Sequence, residues 1–156
     1  MSADPGRPGG FEAATGATQA LPAGPGRKAS VREAFEGLLQ IRRLMNTAAP
    51  DPLAVPAAWE RRRPVRAVAL ALEAAGLPPS ALNAEGQRIA TGYCVGEAER
   101  QGAVRVDWLG PVGSGAAYAS REALRECAAV LRGLGWEALE VRGPRNRWHL
   151  EAEPVP

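Results

Sequence analysis

Residues 120–152 read SREALRECAAVLRGLGWEALEVRGPRNRWHLEA, and they decide the fold because a helix, its terminator and two strands can all be read there from local chemistry. Leu124, Cys127, Ala128, Leu131 and Leu134 recur at the three-and-four spacing that gathers side chains on one helix face. Arg121, Glu122, Arg125, Glu126 and Arg132 fall mostly on the opposite face. Ser120 is placed to cap the helix start, and Gly135 to end it, since glycine enters a left-handed conformation without a Cβ penalty. Trp136 then opens a strand-like run to Arg142. Gly143, Pro144, Arg145 and Asn146 form a turn, after which Trp148, Leu150 and Ala152 alternate with Arg147, His149 and Glu151 as a half-buried strand does.

Outward from this stretch, Val104, Val106 and Trp108 alternate with Arg105 and Asp107, predicting a strand over residues 103–109. Residues 88–95 predict its hairpin partner, with Ile89, Thr91, Tyr93 and Val95 on one face and the smaller Ala90, Gly92 and Cys94 on the other, where a helix can pack closely or Gly92 mark a bulge. Earlier, Ser30 and Glu33 match a reciprocal capping box, and Val31, Ala34, Phe35, Leu38, Ile41 and Met45 form an apolar stripe. Pro56 suits the first position of a short helical turn, and Pro64 starts a second helix whose stripe is Val65, Val68, Ala69 and Leu72, closed by Gly76. Consecutive strands joined by short loops pair antiparallel. The expected fold is α+β: an antiparallel four-stranded ββαββ sheet packed on one helix, preceded by two helices and a disordered N-terminal tail.

The 156-residue length suits one domain over residues 29–156, with a helical part at 29–76 and the ββαββ part at 87–153. Residues 1–28 are rich in Gly, Pro and Ala, with Phe11 and Leu21 their only large apolar residues, which predicts a disordered tail. All but one of the 19 basic residues are arginine, yet the formal charge is only +2, so charge alone does not announce a nucleic-acid partner. Two cysteines are too few for a secreted disulfide framework and fit a reducing cytoplasm. No apolar run approaches the roughly 20 residues that span a bilayer, so no membrane is expected.

Catalytic chemistry finds little support. The link of residues 110–115 (GPVGSG) between a strand and a helix is of the kind that can cradle an anion, but it lacks a Walker lysine, the third dinucleotide glycine and the spacing of a nucleophile elbow. His149 is the only histidine, and Cys94, Cys127 and His149 lack paired-ligand spacing, so no metal or cofactor is expected. Cys127 reads as core and His149 as a solvated outward residue. Pairs such as Glu97 with Glu99, or Glu151 with Glu153, sit in polar positions and read as solvated charge.

Binding is the better reading. Arg61, Arg62, Arg63 and Arg66 cluster beside Trp59, and Arg142, Arg145 and Arg147 surround the last hairpin; Trp and Arg are the residue types that anchor protein interfaces. These eight residues are the candidate contact set of a small, non-catalytic accessory protein acting through protein partners or self-association. The alternative is DNA binding, because two helices followed by strands and a basic hairpin resemble in outline a winged helix-turn-helix. The sequence departs from that outline where Pro78 and Pro79 occupy the place of a third, recognition helix.

Overall fold

A computed structural model describes residues 11–156. Four helices and six strands follow in order: α1 (Pro25–Met45), α2 (Ala58–Arg62), α3 (Pro64–Ala74), β1 (Ala81–Leu82), β2 (Arg88–Ala90), β3 (Gly92–Glu97), β4 (Val104–Leu109), α4 (Ala116–Gly133), β5 (Trp136–Arg142) and β6 (Trp148–Pro154). The main sheet has four antiparallel strands in the order β3-β4-β6-β5, and β1 and β2 form a separate two-stranded ribbon. The α+β architecture with α4 on the sheet is therefore the one expected.

Alternation along the strands sets which side chains reach the core. Tyr93 and Val95 on β3, Val104 and Val106 on β4, Trp136 and Ala138 on β5, and Leu150 and Ala152 on β6 all turn to one face. There they meet Leu124, Cys127, Ala128 and Leu131 of α4 and the buried run Ala67, Val68, Ala69, Ala71 and Leu72 of α3. α3 thus lies beside α4 on the same face, which explains why its sequence is apolar nearly all round. α1 packs on α3 as an outer layer, joining Val31, Ala34 and Leu38 to Leu70 and Phe11 in a second cluster.

Several local expectations change. α4 begins four residues before Ser120, whose hydroxyl donates to the Ala117 carbonyl (2.9 Å) inside the helix and caps nothing. α1 begins at Pro25 and absorbs Ser30 as an exposed interior residue, because a proline in the first turn is already set for helix and loses no hydrogen bond. The predicted strand 88–95 divides at Thr91. Residue 92 lies so close to the Pro78 carbonyl that a Cβ would overlap it, so the chain changes partners here: β2 pairs with β1, β3 with β4, and Ile89 stays exposed.

The tail expectation also changes over residues 11–28, while residues 1–10 lie outside the described residues. Phe11 and Ala14 are buried, the Thr15 carbonyl accepts from the Val95 amide (2.7 Å), and the Thr18 carbonyl from the Leu82 amide (3.0 Å). Sparse apolar residues suffice because each lands on a surface that the rest of the chain has already built. No helix among the described residues is long and apolar enough to cross a membrane.

Gly135 ends the sheet-covering helix as expected, at φ 84°, and it also lies against the Ala54 carbonyl, where a Cβ would collide with backbone. Gly135→Ala carries both the left-handed penalty of about 1–2 kcal/mol and this overlap. Urea unfolding is expected to show a loss of at least about 2 kcal/mol for G135A, against under about 1 kcal/mol for Gly133→Ala, where a Cβ meets open space.

Candidate functional site

The cluster that begins at Trp59 rests on a buried ion pair. In the link after α1, Pro56 and Ala57 lead into α2, and the Glu60 carboxylate turns back to accept the Ala57 amide (2.8 Å) at the helix start. The same carboxylate takes two charge-assisted bonds from Arg42 of α1, Nε to Oε2 at 2.8 Å and Nη2 to Oε1 at 2.7 Å. Each side chain is 1% exposed. Arg42 Nη1 adds bonds to the carbonyls of Leu53 and Leu134, both 2.8 Å. Burying two charges costs several kcal/mol per ion, and the pair is tolerated because nearly every donor and acceptor is matched. It ties the end of α1, the turn at Pro52–Ala54, α2 and the exit of α4 to one point.

From that anchored turn the arginines project outward. Arg61, Arg62 and Arg63 are exposed; Arg61 donates to the Val155 carbonyl (2.6 Å), and neither Arg62 nor Arg63 has an ion-pair partner among the described residues. Arg66 is half-buried and donates to the Phe11 carbonyl. Trp59 is half-buried against the core, and its buried indole N–H has no hydrogen-bond partner among the described residues.

The second cluster lies elsewhere. Arg142 donates to the Asn146 side chain, Arg145 takes a left-handed conformation (φ 62°) in the turn, and Arg147 is exposed. Arg61 meets the chain just after the end of β6, whereas these residues surround its beginning, so the length of β6, about 20 Å at the usual strand rise, separates the clusters.

The reactive side chains are likewise apart. Cys127 points from α4 into the core, where burial pushes its thiol up to about 12. Cys94 lies on the sheet's other face opposite Asp107; burial raises its thiol although Arg88, with Nη2 at 3.8 Å from Sγ, pulls it down. Burial also holds the Tyr93 phenol well above its ordinary range, and its hydroxyl donates to the Ala69 carbonyl (3.3 Å). His149 lies on the sheet's outward face as predicted, but it is buried and not solvated, at 7% exposed, with Nδ1 near the turn at Gly143. Its Nε2 lies 3.3 Å from Glu151 Oε2, and Nδ1 has no partner among the described residues. Among the described residues no three His, Cys, Asp or Glu side chains are grouped to hold a metal ion. In the 110–115 link, Ser114 Oγ accepts the Ala116 amide (3.3 Å), occupying one N–H of the helix start.

A groove that the sequence did not reveal opens between α1 and the end of α3. It encloses about 590 Å³ over Val31, Phe35 and Leu77, with Lys28 and Arg32 along α1. Arg27 and Glu73 close one end through bonds of 2.9 and 2.6 Å, and the Arg27 guanidinium lies 4.7 Å from the Phe11 ring centre. The partners are 46 residues apart in the chain, so no local pattern signals the pairing.

Comparison with protein-family models, with curated proteins and with solved structures gave no match.

Removing one member of the Arg42–Glu60 pair strands the other in the interior. Arg42→Met is expected to cost about 3–5 kcal/mol in urea unfolding, and the double variant R42M/E60L to cost less than the two single changes combined. The thiols make a separate prediction. Cys127 holds its proton to about 12 in the folded chain against an ordinary 9.0, so its contribution to stability is full below pH 9 and is lost as pH rises from 9 to about 12. At pH 8 a thiol reagent is expected to modify Cys94 slowly and Cys127 only on unfolding.

Proposed function

We propose that this protein is a non-catalytic binding module that acts through protein–protein contacts, and that its principal contact is the outward surface of the α2–α3 elbow. The observation that carries the reading is three consecutive exposed arginines, Arg61, Arg62 and Arg63, presented from a turn fixed underneath by the Arg42–Glu60 pair. A flexible basic loop would lose conformational freedom on binding, whereas a turn held by a buried pair has lost most of it on folding. Guanidinium groups bind carboxylates with two parallel hydrogen bonds, so the partner surface that fits is acidic. Arg142, Arg145 and Arg147 belong to a second, separate contact.

The same three arginines would also suit a phosphate backbone, which keeps DNA binding as the second reading. Against it stands the placement of the two basic clusters at opposite ends of β6. A duplex followed along one face needs its phosphate contacts on one surface.

A pull-down from the native host with the full chain tests the proposal. Wild type is expected to retain a defined acidic protein, and R61A/R62A/R63A to lose at least about tenfold in affinity for it with an unchanged melting temperature. Retention of the same partner by the triple variant removes the elbow from the interface. Binding to a mixed DNA fragment that weakens steeply with added salt, with no protein retained, would replace the first reading by the second.

A further inference from the structure

The two edges of the main sheet are treated differently. Along β3 the outer edge is occupied: the Tyr93 amide donates to the Pro78 carbonyl (3.0 Å), the Ser80 amide to the Tyr93 carbonyl (2.9 Å) and the Val95 amide to the Thr15 carbonyl (2.7 Å). Along β5 it is open. The Val155 amide donates to the Gly135 carbonyl and the Gly143 amide to the Arg147 carbonyl, which fixes the odd-numbered residues of β5 as those bonded to β6. The amides and carbonyls of Trp136, Ala138, Glu140 and Arg142 therefore face away from the sheet. Among the described residues, Arg132 of α4 supplies the one hydrogen bond to this edge, Nη2 to the Ala138 carbonyl at 2.6 Å. Folded chains usually blunt such an edge with a bulge, a proline or a very short strand. β5 has seven residues in unbroken register, no proline, and at its centre Leu139, 60% exposed.

We propose that β5 is a self-association site, pairing antiparallel with β5 of a second copy of this chain about a two-fold axis at Leu139. The register follows from the residues. With the axis at Leu139, Ala138 exchanges hydrogen bonds with Glu140 of the second copy, its carbonyl accepting on one lone pair from the Glu140 amide and on the other from Arg132, and Trp136 exchanges with Arg142, so all four outward-facing residues find partners. The two Leu139 side chains meet as a non-hydrogen-bonded pair, the closer of the two cross-strand geometries. An axis at Glu140 would set that carboxylate against its own copy, and an axis at Ala138 would bring two Arg132 guanidinium groups together. At Leu139 the charges are complementary instead. Glu140 arrives beside Ala138, where Arg132 is held, on the face where Arg125 stands 3.6 Å from Glu140 of its own chain. The interface is isologous, as a closed dimer requires.

This inference rests on the protein-binding reading and names a second surface for it, separate from the arginine elbow. Light scattering and sedimentation of the full chain, from about 1 to about 100 μM, are expected to show wild type moving to twice the monomer mass. Leu139→Lys places a charge at the axis and is expected to shift that transition at least about tenfold upward in concentration, with an unchanged melting temperature below the transition, where both chains are monomeric. Under mild oxidation L139C is expected to form a covalent dimer. Glu137→Cys, which faces Val141 of the second copy, is expected to remain monomeric on a denaturing gel, as wild type does. A wild type that stays monomeric throughout, a dimer indifferent to L139K, or equal cross-linking at 137 and 139 overturns the proposal. If an acidic partner is still lost in R61A/R62A/R63A while any of these outcomes holds, self-pairing has failed and the elbow reading stands. A partner lost in L139K but kept by the elbow variant shows instead that the open edge takes a strand from another protein, which also overturns the two-fold pairing.

Discussion

One buried charge pair organises the helical half of this protein. Arg42 and Glu60 are each almost fully withdrawn from water and are bonded to one another through two parallel contacts, with Nη1 of Arg42 spent on the Leu53 and Leu134 carbonyls. Such a pair contributes little net stability over apolar residues of similar volume, but once present it permits few alternatives. A shifted α2 would leave a buried carboxylate unmatched. The α4 exit, the turn before α2 and the end of α1 are therefore fixed relative to one another by a single guanidinium.

The layer arrangement follows from the sheet. Its core face is covered by α4 and α3 together, and α1 forms a third layer on α3. The opposite face carries Cys94, Arg105, Asp107, His149 and Glu151, with Arg105 bonded to Asp107 at 2.9 Å. No helix covers that face, and its polar side chains stay partly hydrated with the exception of His149, which is buried. The N-terminal arm and the segment after α3 lie along β3, so one sheet edge is closed and the other left open.

The sheet-covering helix was legible because its apolar residues recur at helical spacing and Gly135 follows them; β5 and β6 were legible because apolar and polar residues alternate around a turn of Gly, Pro and Asn. The division at Thr91 was not, since it depends on the Pro78 carbonyl approaching residue 92 from another segment. The arm of residues 11–24 was missed for a similar reason. Its composition is poor in apolar residues, and its order comes from Val95, Leu82 and Arg66, between about 55 and 80 residues away in the chain. The same limit affected the candidate site. Neither Arg42 nor Glu60 stands out in the sequence, because nothing in their neighbourhoods announces that they meet.

By itself the sequence determined what depends on a few consecutive residues: the helical stripes, the left-handed stop at Gly135, the alternating strands, and a chain in which arginines and tryptophans outweigh nucleophiles. Those features come from backbone dihedral preferences and from side-chain periodicity, both short in range. Only the tertiary structure decided which arginine was buried, that the two basic clusters lie at opposite ends of β6, and which strand kept a free edge. Each of these depends on the path of the chain through space, where the cost of burying a charge or leaving an amide unpaired is settled by residues distant in sequence.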